Sequence, residues 1–63
     1  MLVLSRKVDQ RIIINSGTDQ EIVITVVGCN YGVVRLGISA PSHMPIHREE
    51  IQAKIDAKKR ESP

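Results

Sequence analysis

The chain has 63 residues, no Phe or Trp, one Tyr, one Cys and two His. That allows a single domain, excludes an internal disulfide, and supplies too few ligands for a structural zinc site. A core this poor in aromatics does not stabilise so short a chain alone, so association with a second chain is the remaining route, and the net charge of +2 is too small to diagnose a nucleic-acid partner.

Residues 1–7 alternate, with Leu2, Leu4 and Arg6 on one face and Val3, Ser5 and Lys7 on the other, which predicts a strand. Met1-Leu2-Val3-Leu4 is too short for a signal peptide, and its basic pair follows rather than precedes it, so a cytoplasmic protein is expected. Val8-Asp9-Gln10 reads as a tight turn, and about 10–14 as a second strand rich in isoleucine. Residues 15–20 are turn formers. Residues 21–28 form the clearest strand, apolar on both faces, as suits a central position. Gly28-Cys29-Asn30-Tyr31-Gly32 reads as a hairpin loop with a glycine at each end. A fourth strand covers 32–39, with Val34, Leu36 and Ile38 inward and Arg35 away, and Pro41 ends it. Residues 44–46 form a short fifth strand, and Pro45 confines it to an edge. A helix over about 48–58 follows, acidic in its first turn and basic in its last. Its apolar stripe, Ile51 and Ile55, is narrow. Residues 59–63 are expected to fray. The domain is therefore 1–58, mainly β with a C-terminal α-helix. Short apolar edges of this kind are hazards in a monomer unless a partner occupies them.

Both ends of the chain are net basic and the middle is net acidic. A dimer would duplicate the basic ends and raise a local potential that the net figure hides. Arg48 stands where an extended segment meets a helix start. Two readings of it are open. It is a surface arginine paired with Glu49 or Glu50, or it is a guanidinium offering its donors to phosphate and base edges. Arg6 and Lys7 either track a phosphate backbone or guard an edge strand, and the two roles are compatible. His43 and His47 need not share a face, Cys29 has no neighbouring base, and Glu49 and Glu50 diverge on a helix, so no metal site, cofactor or enzyme is expected. With only Tyr31 available, the RNA modules that stack bases on aromatic platforms are excluded.

Met1-Leu2-Val3-Leu4-Ser5-Arg6-Lys7, Gly37-Ile38-Ser39-Ala40-Pro41 and Ile46-His47-Arg48-Glu49-Glu50-Ile51 together resemble the bacterial carbon storage regulator family (CsrA/RsmA), over roughly residues 1–55. The resemblance implies an intertwined homodimeric β-sandwich or barrel, five short strands per chain, with strands 1 and 5 pairing across subunits. It implies an RNA-binding regulator that captures GGA elements in hairpin loops of mRNA leaders. Such a protein represses translation initiation or alters mRNA stability, and small regulatory RNAs carrying GGA motifs compete for it. The implied RNA-binding residues are Leu4, Ser5, Arg6, Lys7, Ser39, Ala40, Pro41, Met44, Ile46, His47 and Arg48, with Arg35 as a weaker candidate. Leu4 and Ser5 would contribute chiefly main-chain groups, and Leu4, Met44 and Ile46 aliphatic contacts. Neither a membrane nor a small-molecule substrate is expected as a partner. The chain departs from the family pattern in three places. Asp9-Gln10 stands where Gly-Glu is usual, the 15–20 loop is longer, and Ser42-His43 replaces a Lys-Glu pair. The alternatives are a β-ribbon DNA-binding dimer and an adaptor that binds proteins through an exposed strand edge.

Overall fold

The computed structural model describes the backbone of residues 1–61 and the side chains of residues 1–58. Three antiparallel strands, β1 (Arg11–Ile14), β2 (Ile22–Asn30) and β3 (Val33–Ser39), form one sheet in the order β1-β2-β3, and one helix, α1 (Glu49–Glu61), follows. The mainly-β architecture with a C-terminal helix is as expected, and so is the central place of the doubly apolar strand.

Register divides the sheet into two unlike faces. Ile12 opposes Ile24, Ile24 opposes Ile38, Val26 opposes Leu36 and Cys29 opposes Val34. Directly paired residues share a face, so one face is almost wholly aliphatic. The other pairs Arg11 with Thr25, Thr25 with Gly37, and Gly28 with Arg35. The inward row expected for Val34, Leu36 and Ile38 is therefore the aliphatic face. Between Val26 and Gly28 the register shifts, and Val27 is the extra residue of a β-bulge. A Cβ at Gly37 would lie 3.1 Å from Val27 Cγ2. The bulged valine thus occupies the space that the missing side chain leaves.

The turns correct one expectation and explain another. Gly28, Cys29 and Asn30 belong to β2, and the hairpin loop is only Tyr31-Gly32, between the paired Asn30 and Val33. Both turn residues have positive φ, 51° and 75°, the requirement of a type I′ turn, whose twist matches that of the strands. Glycine does this freely and tyrosine does not. At the other end, Gln10 N–H donates to the Lys7 carbonyl at 3.0 Å and Asp9 takes φ 72°. Positive φ at the third position is the type II pattern, achieved with an aspartate where glycine would be unstrained. Lys7 N–H donates to Gln10 Oε1 at 2.8 Å and fastens the same turn. The 15–20 loop is closed by its own polar groups: Thr18 Oγ1 donates to the Asn15 carbonyl at 2.7 Å, and Glu21 Oε1 accepts from Gly17 N–H at 3.3 Å.

Two of the five expected strands are absent from the single chain. Residues 1–7 and 44–46 form no ladder. A strand exists only with a partner for its N–H and C=O groups, and the chain offers these segments none. The helix begins one residue later than expected and runs three residues beyond 58, to Glu61. The rest of the tail expected to fray lies outside the described residues.

The core is correspondingly thin. Val26 is the one buried hydrophobic residue among those described, while Leu36 on the aliphatic face is 55% exposed. Among the described residues, α1 packs on none of the three strands. The radius of gyration is 14.8 Å, against about 10.6 Å for a compact domain of this length. The accessible surface is 5811 Å², against roughly 4,000 Å² for a folded monomer of this mass. The single chain is a sheet with a largely exposed apolar face and two segments that join no ladder.

Candidate nucleic-acid interface

The expected site residues fall into two groups. Leu4, Ser5, Arg6 and Lys7 form the rim of an open groove of about 670 Å³, whose floor is the aliphatic face, Ile12, Ile24, Val26, Val34 and Leu36. The segment is placed by the 7–10 turn and by the pairing of Asp9 and Gln10 with Val26, at 2.8 and 3.1 Å. All four rim residues are exposed, and Arg6 Nε folds back onto the Ser5 carbonyl at 2.9 Å.

The second group is built by the end of β3 and the start of α1. Ser39 closes β3, on the face that carries Arg35. Ala40 and Pro41 are half-buried, and Met44 N–H donates to the Pro41 carbonyl at 3.0 Å, which closes the turn after the Ala-Pro stop. Met44 is half-buried, and Ile46 and His47 are exposed. The Arg48 carbonyl accepts from Ile51 N–H at 3.0 Å and from Gln52 N–H at 2.9 Å. Arg48 is thus the N-cap residue of α1, with Glu49 and Glu50 in the first turn, where acids complement the dipole. Its side chain is 77% exposed and ion-paired with Glu50, and its Nε–H donates to Glu50 Oε1 at 2.6 Å. The surface-pair reading of Arg48 is what the single chain displays.

The chain does not bring the two groups together. No residue from 39 to 48 lines the groove that carries residues 4–7. Arg35 lies apart from the groove, on the opposite face, with its Cδ 3.8 Å from where a Cβ at Gly28 would be. The sequence offers Glu49 and Glu50 alike as partners of Arg48, and the structure selects Glu50; sequence reasoning missed the bulge, which Gly28 inside an apolar strand signals. Among the described residues there is no group of His, Cys, Asp and Glu fit to hold a metal ion, and no helix is long and apolar enough to cross a membrane.

The fold is thus of the small antiparallel-sheet class, with one bare apolar face, a basic rim and an exposed arginine capping the one helix. Residues 1–57 match CsrA, the global regulator protein family. The translational regulator CsrA of Lachnospira eligens is 49% identical over 55 residues, which cover 87% of this chain and 70% of that protein. That of Wolinella succinogenes is 47% identical over 55 residues, covering 87% and 67%. That of Hydrogenovibrio crunogenus is 46% identical over 56 residues, covering 89% and 74%. The chain belongs to the CsrA family.

Proposed function

We propose that the protein is a homodimeric, non-enzymatic RNA-binding regulator that acts after transcription. It covers GGA-containing hairpin loops in mRNA leaders, so that translation initiation is repressed or mRNA stability altered, and GGA-bearing small RNAs compete for the same sites. The observation that carries the reading is the match of residues 1–57 to a family whose relatives are named translational regulators.

The dimer has physical support of its own. Each chain has two free sheet edges, on β1 and on β3, and two segments without a ladder, 1–7 and 44–46. In an intertwined dimer the partner's segments lie along those edges and satisfy both sets of backbone groups. The surface in excess of a compact monomer is about 1,800 Å² per chain, so two chains together could bury an area typical of obligate dimers. Each RNA site then joins residues 4–7 of one subunit to residues 39–48 of the other, which accounts for the separation of the two groups in one chain. Binding relies on main-chain groups of Leu4 and Ser5, aliphatic contacts from Leu4, Met44 and Ile46, and charge from Arg6, Lys7 and Arg48. This is a way to read splayed bases without aromatic platforms.

The test is a gel-shift competition at fixed salt. A labelled hairpin with GGA in its loop is challenged with the same RNA, with a hairpin of altered loop, and with duplex DNA. Only the first should displace the label. Equal displacement by duplex DNA would replace this reading with the β-ribbon DNA binder.

A further inference from the structure

We infer that Glu50 is a positioning residue for Arg48, holding one side of the guanidinium so that the opposite edge faces the RNA. The inference rests on the RNA-binding reading above and adds to it a role for the carboxylate. A guanidinium has five N–H donors in a planar fork. The Glu50 Oε1 atom receives Nε–H at 2.6 Å and also pairs with Nη2. Both contacts lie on the same side of the fork. The end-on edge, formed by Nη1 and the second hydrogen of Nη2, stays open. That edge is the one that meets a phosphate or the O6 and N7 of guanine with two parallel bonds.

The main chain contributes to the arrangement. The carbonyl of Arg48 is held by Ile51 and Gln52 N–H, so the residue cannot shift along the helix axis. Its side chain otherwise has several free torsions and 77% exposure, and Glu50 is its one side-chain partner among the described residues. An arginine at a helix N-cap also sits at the positive end of the dipole. Glu50 offsets that charge while it aims the fork. It has an opposing effect as well, because its negative charge repels the phosphates that Arg48 is to meet. Glu50→Gln separates the two effects. A glutamine keeps an oxygen that can accept from Nε–H and drops the charge, whereas Glu50→Ala loses both.

The experiment measures binding of the full-length protein to a GGA-loop hairpin at constant ionic strength, for Glu50→Ala, Glu50→Gln, Arg48→Ala and the Arg48→Ala/Glu50→Ala double variant. Circular dichroism of each reports any change in the helix. Exposed pairs of this kind hold their members only weakly. Glu50→Ala should therefore weaken binding by about two- to five-fold, Glu50→Gln should restore it, and Glu50→Ala should have no further effect once Arg48 is alanine. If Glu50→Ala and Glu50→Gln both tighten binding, Glu50 only obstructs and the inference fails. If Glu50→Ala weakens binding equally in the Arg48→Ala background, its role is in the helix and the inference also fails. If Arg48→Ala itself leaves binding unchanged, it is the placement of the RNA site that is wrong.

Discussion

At the scale of single residues, one arginine is asked to do most. Arg48 is exposed, caps a helix and keeps an edge of its guanidinium open. Truncating a well-placed arginine contact weakens nucleic-acid binding by about 1–3 kcal/mol. Arg48→Ala should lose that much affinity for a GGA hairpin, with the thermal melt unchanged within a few degrees. Lys54→Ala removes the same charge from the exposed helix surface and should change affinity far less. The gel shift on the two variants, at one salt concentration, checks the difference. Equal losses would mean diffuse electrostatics rather than a site. The junction of an extended segment with a helix start made Arg48 visible in the sequence, and the family resemblance of Ile46-His47-Arg48-Glu49-Glu50-Ile51 made it a candidate. Its pairing was not decided there, since Glu49 and Glu50 both lie within two residues and only the helix geometry selects Glu50.

At the scale of elements, the turns carry strain. Tyr31 and Asp9 both occupy the left-handed region, at φ 51° and 72°. Such a conformation in a residue other than glycine costs about 1 kcal/mol or somewhat more. Asparagine tolerates it better, and Asn-Gly is the favoured type I′ pair. Tyr31→Asn should therefore stabilise the fold by about 0.5–1 kcal/mol, a rise of several degrees in a melt for a chain of this size. Asp9→Val places a β-branched residue at the same kind of position and should destabilise by about 1–2 kcal/mol. Both are read as melting temperatures at one fixed protein concentration. Alternation and turn chemistry were enough to find the three paired strands and the helix to within a few residues. They misplace the hairpin loop, because a glycine at the end of an apolar run, here Gly28, reads as a turn boundary. In the sheet that glycine pairs with Arg35 just past the bulge at Val27.

At the scale of the whole molecule, folding and association are expected to be one process. Among the described residues the aliphatic face is bare, the helix packs on no strand, and two segments lack ladders. The melting temperature should rise with protein concentration, as mass action requires when only the dimer is folded. A folded monomer in sedimentation at low micromolar concentration would count against this. Leu36→Glu would bury an unpaired charge in the proposed interface and should abolish both the dimer and the fold. A twofold dimer repeats its site, so one dimer should hold two hairpins. An RNA carrying both on a flexible linker should bind roughly 10²–10⁴-fold more tightly than a single hairpin. A heterodimer with one Arg48→Ala chain should keep one site and lose that advantage. If the preference for the double hairpin persists in the heterodimer, a continuous basic surface replaces the two-site arrangement.

Motif resemblance to the family supplied the residues proposed for both halves of the site, while the pattern of the sequence by itself determined the class of fold and the strand at its centre. These follow from local causes: alternation of side chains along a strand, the Ala-Pro stop, acids at a helix start and the shortage of aromatics. The tertiary structure decided what local pattern cannot express. It put Ile12, Ile24, Val26, Leu36 and Val34 on one face through cross-strand register. It inserted the bulge that sets Val27 against Gly37, and it turned Arg48 onto Glu50. It also left residues 1–7 and 44–46 without ladders, because a strand's hydrogen bonds belong to a pair of strands and no alternation in one segment can supply the other.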